Sequence, residues 1–187
     1  MPRRFLLTGG GTGGHVTPAL AAVSALARRY PDAEFRYAGL ADKAEGVMAP
    51  RAGLPLSRLT SRGLPRPGPA LIPFALHLAL GTLRAVGILL RRRPALILAT
   101  GGYVAAPVVL ANALLRGLRM SRTPLLVHEQ NSHLGRLNRL AARFADLVAV
   151  SFPETLAELP PEKGVYVGYP VRDAAAAGDP GPARERL

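Results

Sequence analysis

The chain has 187 residues, enough for one domain with a proper core and barely enough for two. It contains no cysteine, which excludes disulfide scaffolds and thiolate metal sites and fits a reducing compartment. Its 24 Lys and Arg against 12 Asp and Glu leave a net charge of +12, so an acidic partner is expected: nucleic acid, an anionic membrane surface or a phosphorylated substrate.

The opening Met1-Pro2-Arg3-Arg4 leads into an apolar run too short for a signal peptide, so the protein is expected to stay inside the cell. Phe5-Leu6-Leu7-Thr8 reads as a strand, followed by a glycine turn and an Ala/Leu-rich helix over roughly Pro18 to Arg29. A strand near Glu34 to Ala38, a helix around Asp42 to Ala52 and a short strand at Leu56 to Leu59 come next. After a Gly/Pro/Arg-rich loop, Thr60 to Pro69, a long apolar helix runs to Arg93. The remaining elements are a strand Ala95 to Thr100, a helix Val104 to Leu115, a strand Pro124 to His128, a helix Leu134 to Phe144 and strands Leu147 to Val150 and Val165 to Val167. Strands that are apolar throughout and separated by helices predict a parallel sheet covered on both faces, an open doubly wound α/β domain.

The glycine turn, Gly9-Gly10-Gly11-Thr12-Gly13-Gly14, suits an anion, because glycine lets a ligand approach the backbone and the following helix offers unpaired N–H groups. Gly9, Gly11 and Gly14 fit the dinucleotide pattern G-x-G-x-x-G, yet Ala38-Gly39-Leu40 stand where the ribose-binding acid is expected. A P-loop would need Lys and then Ser or Thr where His15-Val16 stand, and a plain glycine-rich turn without a ligand is the bland alternative. Nucleic acid is disfavoured, because the arginines are not interleaved with aromatic residues and no helix-turn-helix or zinc-finger spacing occurs. His128-Glu129-Gln130-Asn131-Ser132-His133 is not a zinc H-E-x-x-H motif: the second histidine comes one position late and the segment follows a strand, so no metal is expected.

Ligands of such sheets sit beyond the carboxyl ends of the strands. There the first strand delivers the glycine turn and His15, the fourth Thr100-Gly101-Gly102-Tyr103, the fifth His128 to His133 and the last Gly168-Tyr169-Pro170-Val171-Arg172. Thr8 to Pro18, Gly101-Gly102-Tyr103-Val104, His128-Glu129-Gln130-Asn131 with Asn138-Arg139, and Val167-Gly168-x-Pro170-Val171-Arg172 together resemble the amino-terminal half of the MurG family. The resemblance implies the Rossmann-like amino-terminal domain of a GT-B glycosyltransferase, covering residues 1–172, with 173–187 a linker toward a donor-binding half. It implies transfer of N-acetylglucosamine from UDP-N-acetylglucosamine to the undecaprenyl-diphosphate-linked muramyl pentapeptide, inverting, without metal or cofactor, at the cytoplasmic face of the membrane. Carried over by motif position, Thr12, Gly13, Gly14, Asn131 and Arg172 would contact the donor, and Gly13, Gly14, Gly101, Gly102 and Tyr103 the acceptor diphosphate. His15 is the candidate base, since a neutral imidazole can take the hydroxyl proton near neutral pH, or else it only hydrogen-bonds the acceptor or a loop. His128 and Glu129 would either touch the acceptor or brace the loop that presents Asn131.

The long helix, Ala70 to Arg93, approaches membrane-spanning length but carries Pro73, His77 and Arg84. His77, Arg84 and Arg91 share a stripe, so the helix is read as lying in an anionic membrane interface, as a core helix with a solvated polar stripe, or as both, one face buried and one toward lipid. Tyr169 replaces the asparagine usual before Pro170-Val171-Arg172, and Ala105-Ala106 the usual Ser-Gly. A module recruiting a separate donor-binding subunit, as in the split dolichol-diphosphate enzyme, and a lipid glycosyltransferase with another acceptor such as diacylglycerol are the alternatives.

Overall fold

The computed structural model describes residues 2–171. Arg172 and the expected linker 173–187 lie outside the described residues. Seven strands, β1 (Arg4–Thr8), β2 (Glu34–Gly39), β3 (Leu56–Arg58), β4 (Leu96–Ala99), β5 (Leu125–Glu129), β6 (Leu147–Val150) and β7 (Gly164–Tyr166), form one sheet. Their order is β3-β2-β1-β4-β5-β6-β7, and every neighbouring pair is parallel. The winding reverses between β1 and β4, with Thr8 opposite Ala38 on one side and Ala99 on the other, so the crevice of this sheet opens beyond Thr8.

Alternate residues of each strand feed two cores. Leu7, Tyr37 and Leu98 pack with Val16, Ala19 and Leu20 of α1 (Gly13–Arg29) and Ala49 of α2 (Ala44–Arg51). Leu6, Ile97 and Val127 pack on the other face, against Ala85 and Leu89 of α3 (Leu71–Arg92), Val108 and Leu115 of α4 (Ala106–Gly117) and Ala141 of α5 (Arg136–Ala141). Helices on both faces explain why the strands lack a polar alternation. The architecture is the doubly wound, Rossmann-like α/β fold that the sequence predicts.

Several boundaries differ from the sequence expectation. The first helix begins at Gly13, five residues before Pro18, with Thr12 as an extended N-cap. Glycine and an internal proline both disfavour helix, but residues this close to the N-terminus have few intrahelical bonds to lose, and Gly14 alone is deprived of its donor by Pro18. Tyr103–Ala105 forms a 3-10 turn ahead of α4, and Pro153–Glu158 forms another that sequence periodicity did not indicate. The fifth helix is shorter than expected: the Leu134 and Gly135 amides bond to the Glu158 and Glu129 side chains ahead of it, and i−3 bonds at Arg143 and Phe144 close it with tighter turns.

α3 buries one face in the core and leaves the other open, so the reading of a fully covered core helix holds for one face alone. Only Gly81, Ala85 and Leu89 are buried, a stripe of spacing four that faces α4. On the opposite side Ile72 is 76% exposed, Leu76 56% and Leu83 66%, with Leu90 also open. At 100° per residue this apolar stripe points away from the body, and Arg84 and Arg91 flank it, both exposed. The helix is long and apolar enough to cross a membrane by length and composition. Its approach to the body depends on Gly81, where a Cβ would lie 2.0 Å from the Thr60 carbonyl oxygen and 3.0 Å from the Pro107 ring. Gly81→Ala is expected to cost about 1–3 kcal/mol through overpacking, read as a lower urea midpoint, whereas Gly87→Ala, which meets nothing within 4 Å, should leave stability unchanged or raised.

Candidate functional site

The tips of β1 and β4 meet at the switch point. The Gly10 amide donates to the Gly101 carbonyl at 3.2 Å, and the Thr100 amide to the Thr8 carbonyl at 2.9 Å. Contact this close excludes side chains: a Cβ on Gly102, whose φ is +72°, would lie 2.1 Å from the Gly10 oxygen. One on Gly10, at φ +150°, would collide with the Glu45 carboxylate at 2.2 Å. These glycines are therefore demanded by the fold itself.

Glu45 is fully buried and unites the first two loops. Its Oε2 accepts from the Gly11 amide at 3.0 Å and its Oε1 from the Leu40 amide at 3.1 Å. The buried Tyr37 hydroxyl donates to the Gly9 carbonyl at 2.9 Å, and burial pushes its pKa up. The acid missing at the end of β2 thus exists six residues on, turned into the glycine loop instead of toward a ribose. The dinucleotide pattern places its acid at positions 38–40 and so does not point to Glu45. The signal available was a lone acid in the first turn of α2 after a strand ending in glycine.

With the Gly10 and Gly11 amides engaged internally, the anion-binding capacity shifts to the start of α1. Thr12 makes no side-chain cap, and the Gly13 and Gly14 amides have no acceptor among the described residues. Neither glycine has a positive φ, and added Cβ atoms would meet only Met48 Sδ and Thr12 Oγ1, each at 3.9 Å. No contact inside the described residues requires glycine at 13 or 14, so the backbone at the start of α1 is left open to close approach.

His15 sits at the third position of α1, half-buried, between these two glycines and the β4 loop. Its Nδ1 lies 3.0 Å from the Thr100 carbonyl oxygen and 3.0 Å from Gln130 Oε1. Its ring edge faces Gly102, where a Cβ would be 3.0 Å from Cδ2. The Thr100 hydroxyl donates to the His15 carbonyl at 2.5 Å, tying the first turn of α1 to β4. Tyr103 is half-buried, its ring edge 3.0 Å from where a Gly11 Cβ would be. Beside it a polar cavity of about 410 Å³ is lined by Asp42, Lys43, Ser61, Arg62 and His77, with Lys43 3.8 Å from the Asp42 carboxylate.

The β5 loop is organised by a second fully buried acid. Glu129 Oε1 accepts from the Asn131 amide (2.9 Å) and Nδ2 (2.8 Å), and Oε2 from the Gly135 amide (2.8 Å) and Asn138 Nδ2 (2.9 Å). Asn131 itself is exposed at the rim. His128 is 4% exposed, with Nδ1 3.1 Å from Gln130 Nε2. Burial is the main reason its pKa is lowered, against smaller opposing effects of a bond to the Gly168 backbone and of Glu129. His133 points elsewhere, pairing with Glu158 at 3.0 Å. Among the described residues no group of three or more His, Asp or Glu side chains is placed to hold a metal.

Of the residues singled out from sequence, Thr12, Gly13, Gly14, His15, Gly101, Gly102 and Tyr103 thus gather at the β1–β4 rim. His128 and Glu129 lie beneath the β5 loop with Asn131 at its tip, and Arg172 lies outside the described residues. Thr100 and Gln130 belong to the loops that the sequence brings to this rim but carry no role from the sequence alone, and Glu45 was not singled out.

The Glycosyltransferase family 28 N-terminal domain matches residues 5–150. The UDP-N-acetylglucosamine–N-acetylmuramyl-(pentapeptide) pyrophosphoryl-undecaprenol N-acetylglucosamine transferase of Symbiobacterium thermophilum is 39% identical over 186 residues, covering 98% of this chain and 48% of that protein. The transferase of the same name from Nocardioides is 44% identical over 172 residues, covering 90% of this chain and 44% of that protein. The crystal structure of Acinetobacter baumannii MurG superposes with a TM-score of 0.74 at 26% identity, over 90% of this chain and 46% of that one. The chain spans about half the length of the curated relatives it matches. With the domain's full sheet edge and both glycine loops in place, the chain belongs to glycosyltransferase family 28 and carries that family's N-terminal domain.

Proposed function

We propose that this chain is the acceptor-binding half of an inverting, metal-independent transferase that moves N-acetylglucosamine from UDP-N-acetylglucosamine to the undecaprenyl-diphosphate-linked muramyl pentapeptide. The observation that carries the reading is His15, held by Nδ1 between the two glycine loops and adjoining the unengaged amides of Gly13 and Gly14. In the reaction the acceptor hydroxyl gives its proton to His15 Nε2 while its oxygen bonds to the anomeric carbon. The bond from that carbon to the diphosphate breaks on the opposite face, and its electron pair leaves with UDP. General-base assistance of this kind supplies about 10²–10⁴-fold. A donor-binding half completes the nucleotide site, with Thr12, Gly13, Gly14, Asn131 and Arg172 contributed from this side.

The acceptor diphosphate lies along Gly13, Gly14, Gly101, Gly102 and Tyr103, and the cavity beside Tyr103, where Lys43 and Arg62 outnumber Asp42, suits an anionic acceptor. His128 and Glu129 act by bracing, because Glu129 already receives four donors and both side chains are buried. The relatives are single chains of about twice this length, which favours one enzyme over a recruitment module. The apolar stripe of α3 lies against the cytoplasmic face of an anionic membrane, Arg84 and Arg91 reaching lipid phosphates.

In the enzyme completed by a donor-binding half, His15→Ala is expected to lower kcat by about 10²–10⁴-fold with little change in donor affinity; undiminished kcat would remove His15 as the base. Gly14→Ala should retain the wild-type urea midpoint yet lose activity, whereas Gly102→Ala should lower the midpoint itself; a stability loss for Gly14→Ala would remove the ligand as the reason for that glycine. Flotation with anionic vesicles at low salt should recover the wild-type chain and lose the Leu76→Glu, Leu83→Glu double variant. Equal flotation of the two would refute the lipid-facing stripe.

A further inference from the structure

Gln130 is only 8% exposed, and its amide lies beneath the His15 ring. Gln130 Nε2 stands 2.8 Å from the Thr100 carbonyl oxygen and 3.0 Å from the His128 carbonyl oxygen. Both are acceptors only, so the opposite amide orientation would set oxygen against oxygen at two places, and Oε1 must be the atom that faces His15. At His15 Nδ1 the Gln130 oxygen and the Thr100 carbonyl, each at 3.0 Å, are again acceptors only. A neutral imidazole has one N–H, and both neighbours require it at Nδ1, which leaves the Nε2 lone pair free.

We propose that Gln130 is a positioning residue that, with the Thr100 carbonyl, fixes the proton of His15 on Nδ1 so that Nε2 faces the reactants unprotonated. The inference rests on the reading of His15 as the base and names what prepares it. Gln130 is in turn oriented from behind. Its amide protons are taken by the Thr100 and His128 carbonyls, with His128 Nδ1 3.1 Å from the same nitrogen. The lowered pKa of His128 agrees with a neutral ring there, since an imidazolium would bring an N–H against the Gln130 amide. The candidate base is therefore held by uncharged partners, and among the described residues no carboxylate bonds to its ring. The glutamine differs in this from its neighbour Glu129, which ties down the loop tip and has no bond to His15.

The tautomer is read directly in this chain, without donor or acceptor, from ring-nitrogen shifts of histidine labelled with ¹⁵N. His15 is expected with a protonated Nδ1 and an imine-type Nε2; a dominant Nε2–H form overturns the proposal. Removing one acceptor in Gln130→Met should lower the Nδ1–H to Nε2–H ratio about two- to tenfold. Gln130→Asn, too short to reach His15, should move it the same way, so a fold lost in one variant is read in the other. An unchanged ratio in a folded variant assigns the tautomer to Thr100 alone and removes Gln130 from the scheme. A completed enzyme whose turnover survives His15→Ala would discard the base while leaving the tautomer measurement standing, so the two failures are distinguishable.

Discussion

The closeness of two backbone turns governs this domain. The β1 and β4 loops cross at the sheet's switch point with Gly10 bonded to Gly101 at 3.2 Å, and at that separation neither turn has room for a Cβ. The left-handed φ of Gly102 lets the β4 loop double back and enter the short turn that leads into α4. Once the turns are locked, α1 must start at Gly13, His15 must fall in its first helical turn, and the ring must lie over Thr100. The position of the candidate base is thus a consequence of main-chain packing, with side chains adjusting only its angle.

Two buried carboxylates enforce the loop shapes. Glu45 and Glu129 are both 0% exposed and among the described residues neither is paired with a cation; their partners are two amides for Glu45, and two amides with two side-chain NH₂ groups for Glu129. Removing a carboxylate from water costs several kcal/mol, and hydrogen bonds to a charged acceptor return about 1.5–3 kcal/mol each. Four donors on Glu129 offset that cost, and two on Glu45 come close to it. An acid suits these places better than an amide, since every neighbour is a donor. The result is a pair of loops rigid at the base, with the exposed groups, the Gly13 and Gly14 amides and Asn131, at the tips.

The α/β alternation and the convergence of loops at one rim were readable from sequence because both follow from apolar runs and glycine spacing, which act locally. The division of labour among the glycines was not. Gly9 to Gly14 look alike in a string, and only the approach of Thr100, Glu45 and Gly101 separates those the fold needs from those it leaves free. Glu45 and Gln130 escaped for the same reason, because their partners lie 34 residues away at Gly11 and 115 away at His15. For α3 the sequence showed apolar residues on nearly every side. Periodicity alone could not reveal that the small stripe Gly81, Ala85, Leu89 is the one that docks while the leucines face outward.

That outward face bears on how a lipid-linked substrate could reach the site. A diphosphate on a long isoprenoid stays anchored in the bilayer, since each buried methylene is worth about 0.8 kcal/mol and extraction is correspondingly unfavourable. In the proposed function the transferase would therefore have to bring its reacting groups to the lipid. α3 serves both needs: Leu76 belongs to the exposed apolar stripe, while His77, one residue on, lines the cavity that Tyr103 shares with Lys43 and Arg62. Tyr103 in turn abuts Gly11, at the turn that opens α1 and carries His15. In the proposed function an acceptor headgroup emerging beside α3 enters this polar cavity first and then follows Tyr103 toward the Gly13 and Gly14 amides, so membrane contact and catalysis share one edge of the sheet.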